Sequence, residues 1–173
     1  MKYFPFTPYQ SREVKIGDVT IGGDNPIILQ SMTNTNTMDT EATVEQSIRM
    51  IEAGSELVRI TAPGVKEAKH LAIIKKELIK RGYKVPIIAD IHFNPKAAEE
   101  AAKVIEKVRI NPGNYVDRNK KDKIEFTDEE YNAEIERIKE RILPLITICK
   151  EHKTAIRIGS NHGSLSQRIM SRY

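Results

Sequence analysis

Three triplets in this sequence repeat one pattern: Val58-Arg59-Ile60, Val108-Arg109-Ile110 and Ile156-Arg157-Ile158. Each falls at the carboxyl end of a short apolar run that reads as a β-strand. Side chains alternate across a strand, so the flanking Val and Ile share one face and the arginine points to the other. With the apolar residues turned toward helices, all three guanidinium groups gather on the opposite face. They sit at the strand ends where parallel α/β folds bind ligands. Converging cations are costly to bury without counter-charge. An anion supplies that charge, and the forked guanidinium suits phosphate oxygens, with a diphosphate matching the amount of charge. The competing reading pairs these arginines with internal carboxylates such as Asp90.

Other polar groups fall beside the triplets. Asp90-Ile91-His92-Phe93-Asn94 ends the third strand, and alternation places Asp90 and His92 on one face. His92 is suited to donating to phosphate or moving a proton, with Asp90 orienting a neighbour, although a hydrogen-bonded core histidine fits the same position. Asn111-Pro112-Gly113-Asn114 follows Arg109, and Ser160-Asn161-His162-Gly163-Ser164 follows Arg157 into a helix start. Backbone N–H groups and Ser164 there could meet an anion, or the two loops could be a turn and a cap. Gln30 to Thr37 is dense in hydroxyls and amides and reads either as pocket lining or as a solvated turn series. His70 and His152 lie in charged helices and are expected to be exposed. The single Cys149 forms no disulfide framework or multi-thiolate metal site, and its place on an apolar helix side points to packing.

The elements that position these residues form a regular series. Val14-Lys15-Ile16 and Val19-Thr20-Ile21 alternate around Gly17-Asp18 and predict a β-hairpin. Strand-like runs follow at Pro26 to Leu29, Leu57 to Ile60, Val85 to Ile91, Val108 to Ile110 and Ala155 to Ile158, each followed by a helix-like segment. Asp39 or Thr40 caps a helix with Val44, Ile48 and Ile51 on its apolar face and Gly54 past its end. Asn94-Pro95 is a cap followed by a first-turn proline, and Thr127 to Glu130 is a capping box. Pro144 should kink or split the helix that follows. Helices alternating with apolar strands indicate a parallel sheet covered by helices. The expected fold is α/β: a partial (β/α)₈ TIM-type barrel of about five βα units behind an N-terminal hairpin. A full barrel typically needs about 250 residues, so 173 residues suggest a truncated chain or fragment with open sheet edges. Leu165 to Arg172 reads as a last helix.

Composition narrows the function classes. With 39% hydrophobic and 30% charged residues the chain is of ordinary globular type. Its net charge of +4 is spread along helices where basic and acidic residues interleave, and 6% aromatics without Trp offers few stacking platforms, so nucleic-acid binding is disfavoured. No run approaches the roughly 20 apolar residues of a membrane span and no signal-peptide core follows Met1, so a cytoplasmic protein without membrane contact is expected.

Five segments together resemble a known family: Ile21 to Pro26, Gln30 to Thr35, Ala89 to Phe93, Arg109 to Asn114 and Arg157 to Leu165. In this order they are similar to successive signatures of the 4-hydroxy-3-methylbut-2-enyl diphosphate synthases, and the long segment Tyr115 to Lys153 is similar to the family's three-domain form. The resemblance implies an iron–sulfur oxidoreductase of the methylerythritol phosphate route to isoprenoids. It would convert 2-C-methyl-D-erythritol 2,4-cyclodiphosphate with electrons from ferredoxin or flavodoxin through a [4Fe-4S] cluster. It further implies that residues 1–173 are the amino-terminal barrel, with Arg59, Arg109, Arg157, His92, Asn111 and Asn161 holding the diphosphate, to which the reading of the strand and loop residues adds Asp90 and Ser164 as supports. The cluster domain lies outside this chain, no metal or cluster is expected within it, and the parent is expected to be a homodimer. Catalytic residues are not identified, and the fragment is expected to be inactive alone. Two alternatives remain at this point: a pterin-binding barrel of the dihydropteroate synthase kind, and a phosphometabolite-binding module without chemistry.

Overall fold

Five short parallel strands pair strictly in chain order, as expected when each strand is followed by a crossover that returns the chain beside it. The computed structural model describes residues 9–115 and 127–165. The strands are β3 (Gln30–Met32), β4 (Leu57–Thr61), β5 (Ile87–Ile91), β6 (Lys107–Ile110) and β7 (Ala155–Ile158), preceded by the antiparallel pair β1 (Val14–Ile16) and β2 (Val19–Ile21). The helices are α1 (Thr40–Glu52), α2 (Val65–Lys80), α3 (Pro95–Ala102), the single turn α4 (Pro112–Tyr115) and α5 (Asp128–His152), with a 3₁₀ turn at His162–Ser164. The α/β fold with its hairpin matches the expectation from sequence.

Local signals account for the boundaries. Gly17 takes φ +60°, which lets the hairpin turn within two residues. The Asp39 carboxylate accepts from the Ala42 N–H at 3.1 Å and caps α1. Asn94 accepts from the Lys96 and Ala97 N–H groups with Pro95 in the first turn of α3. Both halves of the capping box form between Thr127 and Glu130.

Helix α5 runs without interruption through Pro144, contrary to the expected split. Proline removes one backbone donor, while buried Leu145 and Cys149 hold the next turns against the core. The first parallel strand also differs from its expected place. Pro26 to Leu29 precede β3 instead of forming it, and Ile27 is 93% exposed. The run is apolar, but β3 is an edge strand, and of the run's isoleucines only Ile28 packs, partly buried against the Ile16 cluster. The region expected as a final helix at Leu165 to Arg172 lies, apart from Leu165, outside the described residues, as does much of the segment after Tyr115.

The two faces of the sheet have different cores. Val58, Ile60, Ile87, Ala89, Ile91, Val108 and Ile110 pack against the helices. On α2 the buried residues Ala68, Leu71, Ile74 and Leu78 recur at helical spacing, and on α3 the buried face is almost all alanine, which permits close approach to the strands. On the opposite, concave face a smaller cluster of Ile16, Leu57, Ile88 and Ala155, flanked by Val14, Val19 and Ile21, lets the hairpin seal the amino-terminal end. Transferring buried side chains of this size from water contributes on the order of 1.5–3 kcal/mol each.

Candidate functional site

Above that apolar floor the concave face turns cationic. Backbone register aligns Thr61, Asp90, Arg109 and Arg157 in one row across β4 to β7, and Arg59, Ile88, Lys107 and Ala155 in the row beneath. The three arginines hold the same place within their triplets, yet Arg59 stands one row lower than Arg109 and Arg157. The offset follows from the staggered pairing of strands in barrel-like sheets, which sequence alternation alone does not encode.

Asp90 is the shared acid of this face. Its carboxylate, 2% exposed, accepts from Arg59 Nη2 at 2.6 Å through one oxygen and from Arg109 Nη1 at 3.2 Å through the other. Two guanidinium groups thus divide one negative charge. The arginines are not each locked to an acid of their own, and Arg157, which is exposed, has no ion-pair partner among the described residues. A second sign of incompleteness is Arg59 Nε, a buried donor without a hydrogen-bond partner. Such atoms are uncommon because each forfeits its hydration for nothing in return.

His92 stands 2.6 Å from Arg109 Nη1 through Nε2. A guanidinium only donates, so Nε2 is the accepting atom of this contact, and Nδ1 lies 3.8 Å from Asp90 Oδ1. Arg109 is the most constrained cation of the site. Its Nη2 also donates to the Gly159 carbonyl at 3.2 Å. A Cβ on Gly159 would lie 2.2 Å from Arg109 Nε, so only glycine admits the guanidinium there.

The two loops above the strands fasten to each other. Asn111 is buried, donates through Nδ2 to Ser164 Oγ at 3.0 Å, and accepts from the Gly113 N–H. The Ser164 hydroxyl is within hydrogen-bond distance of the Asn111 amide oxygen and of the Asn161 carbonyl. The loops touch so closely that a Cβ at Gly113 would lie 1.8 Å from the Ser164 carbonyl oxygen. Asn111 and Ser164 therefore tie loop to loop, while Asn161 is exposed and its side chain makes no cap bond. The loop after Arg157 holds a three-residue 3₁₀ turn, itself too short for a helix macrodipole, and the helix expected to follow it lies, beyond Leu165, outside the described residues.

The polar loop after β3 is largely committed to structure. Gln46 on α1 accepts from the Asn34 and Thr35 N–H groups and donates to the Asn34 side chain, and Thr37 Oγ1 donates to the Thr61 carbonyl at 2.6 Å. His152 is exposed as expected. His70 instead is half-buried, with Nε2 2.8 Å from Thr40 Oγ1.

Two residues were not singled out from sequence. Gly159 carries no chemical signal of its own. Lys107, 7% exposed, lies two residues before Arg109 and so on the same face, a placement that strand alternation encodes. Burial, and then the charges of Arg157 and Arg59, hold its ammonium pKa below the ordinary value.

Among the described residues there is no group of three or more His, Cys, Asp or Glu that could hold a metal ion. Cys149 is buried, and burial pushes its thiol up to about 11, the reverse of the thiolate that an iron–sulfur cluster requires. These residues do not fit a cluster. No described helix is long and apolar enough to cross a membrane.

The family model and the curated relatives agree with one another. The chain is 61% identical over its whole length to a Parabacteroides distasonis protein named 4-hydroxy-3-methylbut-2-en-1-yl diphosphate synthase (flavodoxin). It is 59% identical to the Bacteroides thetaiotaomicron protein of the same name. A third relative of that name, from Leptospira interrogans, is 51% identical over 98% of this chain. The chain spans 28% of the length of the first two relatives and 26% of the third. Among solved structures, Xanthomonas albilineans dihydropteroate synthase in complex with indole-2-carboxylic acid and 6-chloroguanine matches 83% of this chain and 63% of its own. Its TM-score is 0.44 at 17% identity, a likeness that says nothing about ligands. The family model described as the GcpE TIM-barrel domain matches residues 11–173, and the chain belongs to that family.

Proposed function

We propose that this chain is the amino-terminal, diphosphate-gripping part of an oxidoreductase of the methylerythritol phosphate route. The reaction is the reductive opening of 2-C-methyl-D-erythritol 2,4-cyclodiphosphate to 4-hydroxy-3-methylbut-2-enyl diphosphate. The observation that carries the binding role is the shared carboxylate: Asp90 balances one of the two arginines it touches, Arg157 is free among the described residues, and Arg59 Nε is buried without an acceptor. A doubly phosphorylated ligand supplies the missing negative charge and acceptors.

In this reading Arg59, Arg109 and Arg157 bind and orient the diphosphate. The fixed geometry of Arg59 and Arg109 limits the reorganisation needed on binding. His92 and the Gly159 carbonyl hold Arg109 in place, Asn161 reaches the ligand from the loop, and the Asn111–Ser164 pair keeps that loop over the strand ends. Asp90 sets the two guanidinium groups at a common spacing. Electrons come from flavodoxin, which the relatives' names mention, or from ferredoxin, through a [4Fe-4S] cluster that the whole protein would carry on other residues. The chain alone is therefore inactive, and the whole protein is a cytoplasmic homodimer. The resemblance favours this reading over a binding module without chemistry, and no side-chain arrangement here favours a pterin.

Activity of the intact, cluster-loaded protein tests the proposal. With reduced flavodoxin it is expected to convert the cyclic diphosphate to the linear allylic diphosphate, followed by phosphorus NMR. Intact substrate after prolonged incubation, with both protein and donor shown to be competent, would sink it.

A further inference from the structure

Lys107 is the cation of this face that the reading above leaves out. It stands in the lower row, where Ile88 separates it from Arg59, and its other neighbour in register is Ala155. Ile88 and Ala155 belong to the apolar floor beneath the hairpin. The residue is more than nine-tenths buried, its ammonium has no hydrogen bond or ion pair among the described residues, and that nitrogen keeps some contact with solvent, since Arg59 Nε is the one fully enclosed side-chain donor there without a partner. Asp90, the acid of this face, is already engaged by Arg59 and Arg109. Lys107 instead feels like charges from both flanks, Arg157 on the adjacent strand and Arg59 two strands away. Its position between them directs it toward the middle of the concave face.

An ammonium in such a place destabilises the free protein. Partly desolvating a charge is unfavourable unless a partner repays it, and neighbouring cations add repulsion. A purely structural residue at a buried row between isoleucine and alanine would be apolar. Lys107 makes sense if its partner arrives from solution.

We propose that Lys107 is a fourth anion-binding side chain of the diphosphate site, meeting the ligand from the lower row with Arg59 while Arg109 and Arg157 meet it from the row above. The proposal rests on the diphosphate reading and deepens it. It assigns the ligand two tiers of positive charge, Arg59 with Lys107 below and Arg109 with Arg157 above. It also predicts a trade-off: the charge that weakens the empty protein strengthens the complex.

The test uses the intact protein with inorganic pyrophosphate as probe, comparing wild type with Lys107→Met, Lys107→Arg and Arg109→Ala by calorimetric titration and thermal melting. Lys107→Met is expected to raise the dissociation constant about 10- to 100-fold, the loss of one charge-assisted contact. Its ligand-free melting temperature should be unchanged or higher, and Lys107→Arg should recover much of the affinity. Wild-type affinity in Lys107→Met beside a weakened Arg109→Ala would overturn the role of Lys107 and leave the diphosphate reading standing. Unchanged affinity in both variants would remove the reading beneath it as well. A Lys107→Met protein that misfolds or melts below wild type without ligand would also overturn the proposal, because Lys107 would then be supporting the fold of the empty protein.

Discussion

Ile88 and Asp90 are two residues apart on one strand, on the same face, and equally removed from solvent, yet they belong to opposite halves of the concave surface. Around Ile88 the hairpin lays Ile16 over Leu57 and Ala155, and burial is its own reward. Around Asp90 burial is costly. One carboxylate is shared by two arginines, a third arginine and a lysine are left over, and a guanidinium nitrogen is without an acceptor. Across two residues of strand, roughly 6.6 Å, the sheet passes from a self-sufficient core to a cationic face with donors left unpaired. Natural sequences break local consistency at functional places, and here the break coincides with the row boundary.

That contrast can be broken by substitutions on either side of it. The largest effect is expected from Ile88→Ala, which opens a cavity beneath the hairpin and should cost about 2–5 kcal/mol of stability in urea unfolding, without changing pyrophosphate affinity at temperatures where the protein is folded. A matching loss of affinity would mean that floor and site are one unit. Next, Arg109→Ala should weaken pyrophosphate binding about 100-fold in calorimetric titration. It removes a buried charge-assisted donor and frees His92 and the Gly159 carbonyl from their partner. Affinity equal to wild type would place the ligand elsewhere. A smaller effect is expected for Gly159→Ala, about 10-fold in affinity, because its Cβ would push the Arg109 guanidinium aside without removing it. Unaltered binding there would show that Arg109 can move without penalty, against its description as a fixed group.

Much of this division was legible in the sequence, for identifiable reasons. The hairpin, the caps at Asp39, Asn94 and Thr127, and the arginine triplets all depend on residues close together in the chain, where alternation and capping chemistry decide the outcome. The features that were not legible depend on distant segments. The lower row of Arg59 reflects strand stagger, the close approach of Gly159 to Arg109 spans 50 residues, and the Asn111–Ser164 tie spans 53. Ile27 misled for a related reason: an apolar run signals a buried strand only where another element covers it. Lys107 differs from these. Its face was readable from the position of Arg109, but its lack of a partner was not, since that requires knowing where every acid lies.

The most direct test of the central claim is a crystal structure of the intact protein with 2-C-methyl-D-erythritol 2,4-cyclodiphosphate bound. The account predicts phosphate oxygens within hydrogen-bond reach of Arg157 and of the arginines joined by Asp90, over the concave face. A diphosphate seated away from that face, with Arg59 and Arg109 still satisfied only by Asp90 and Arg157 still free, would contradict it.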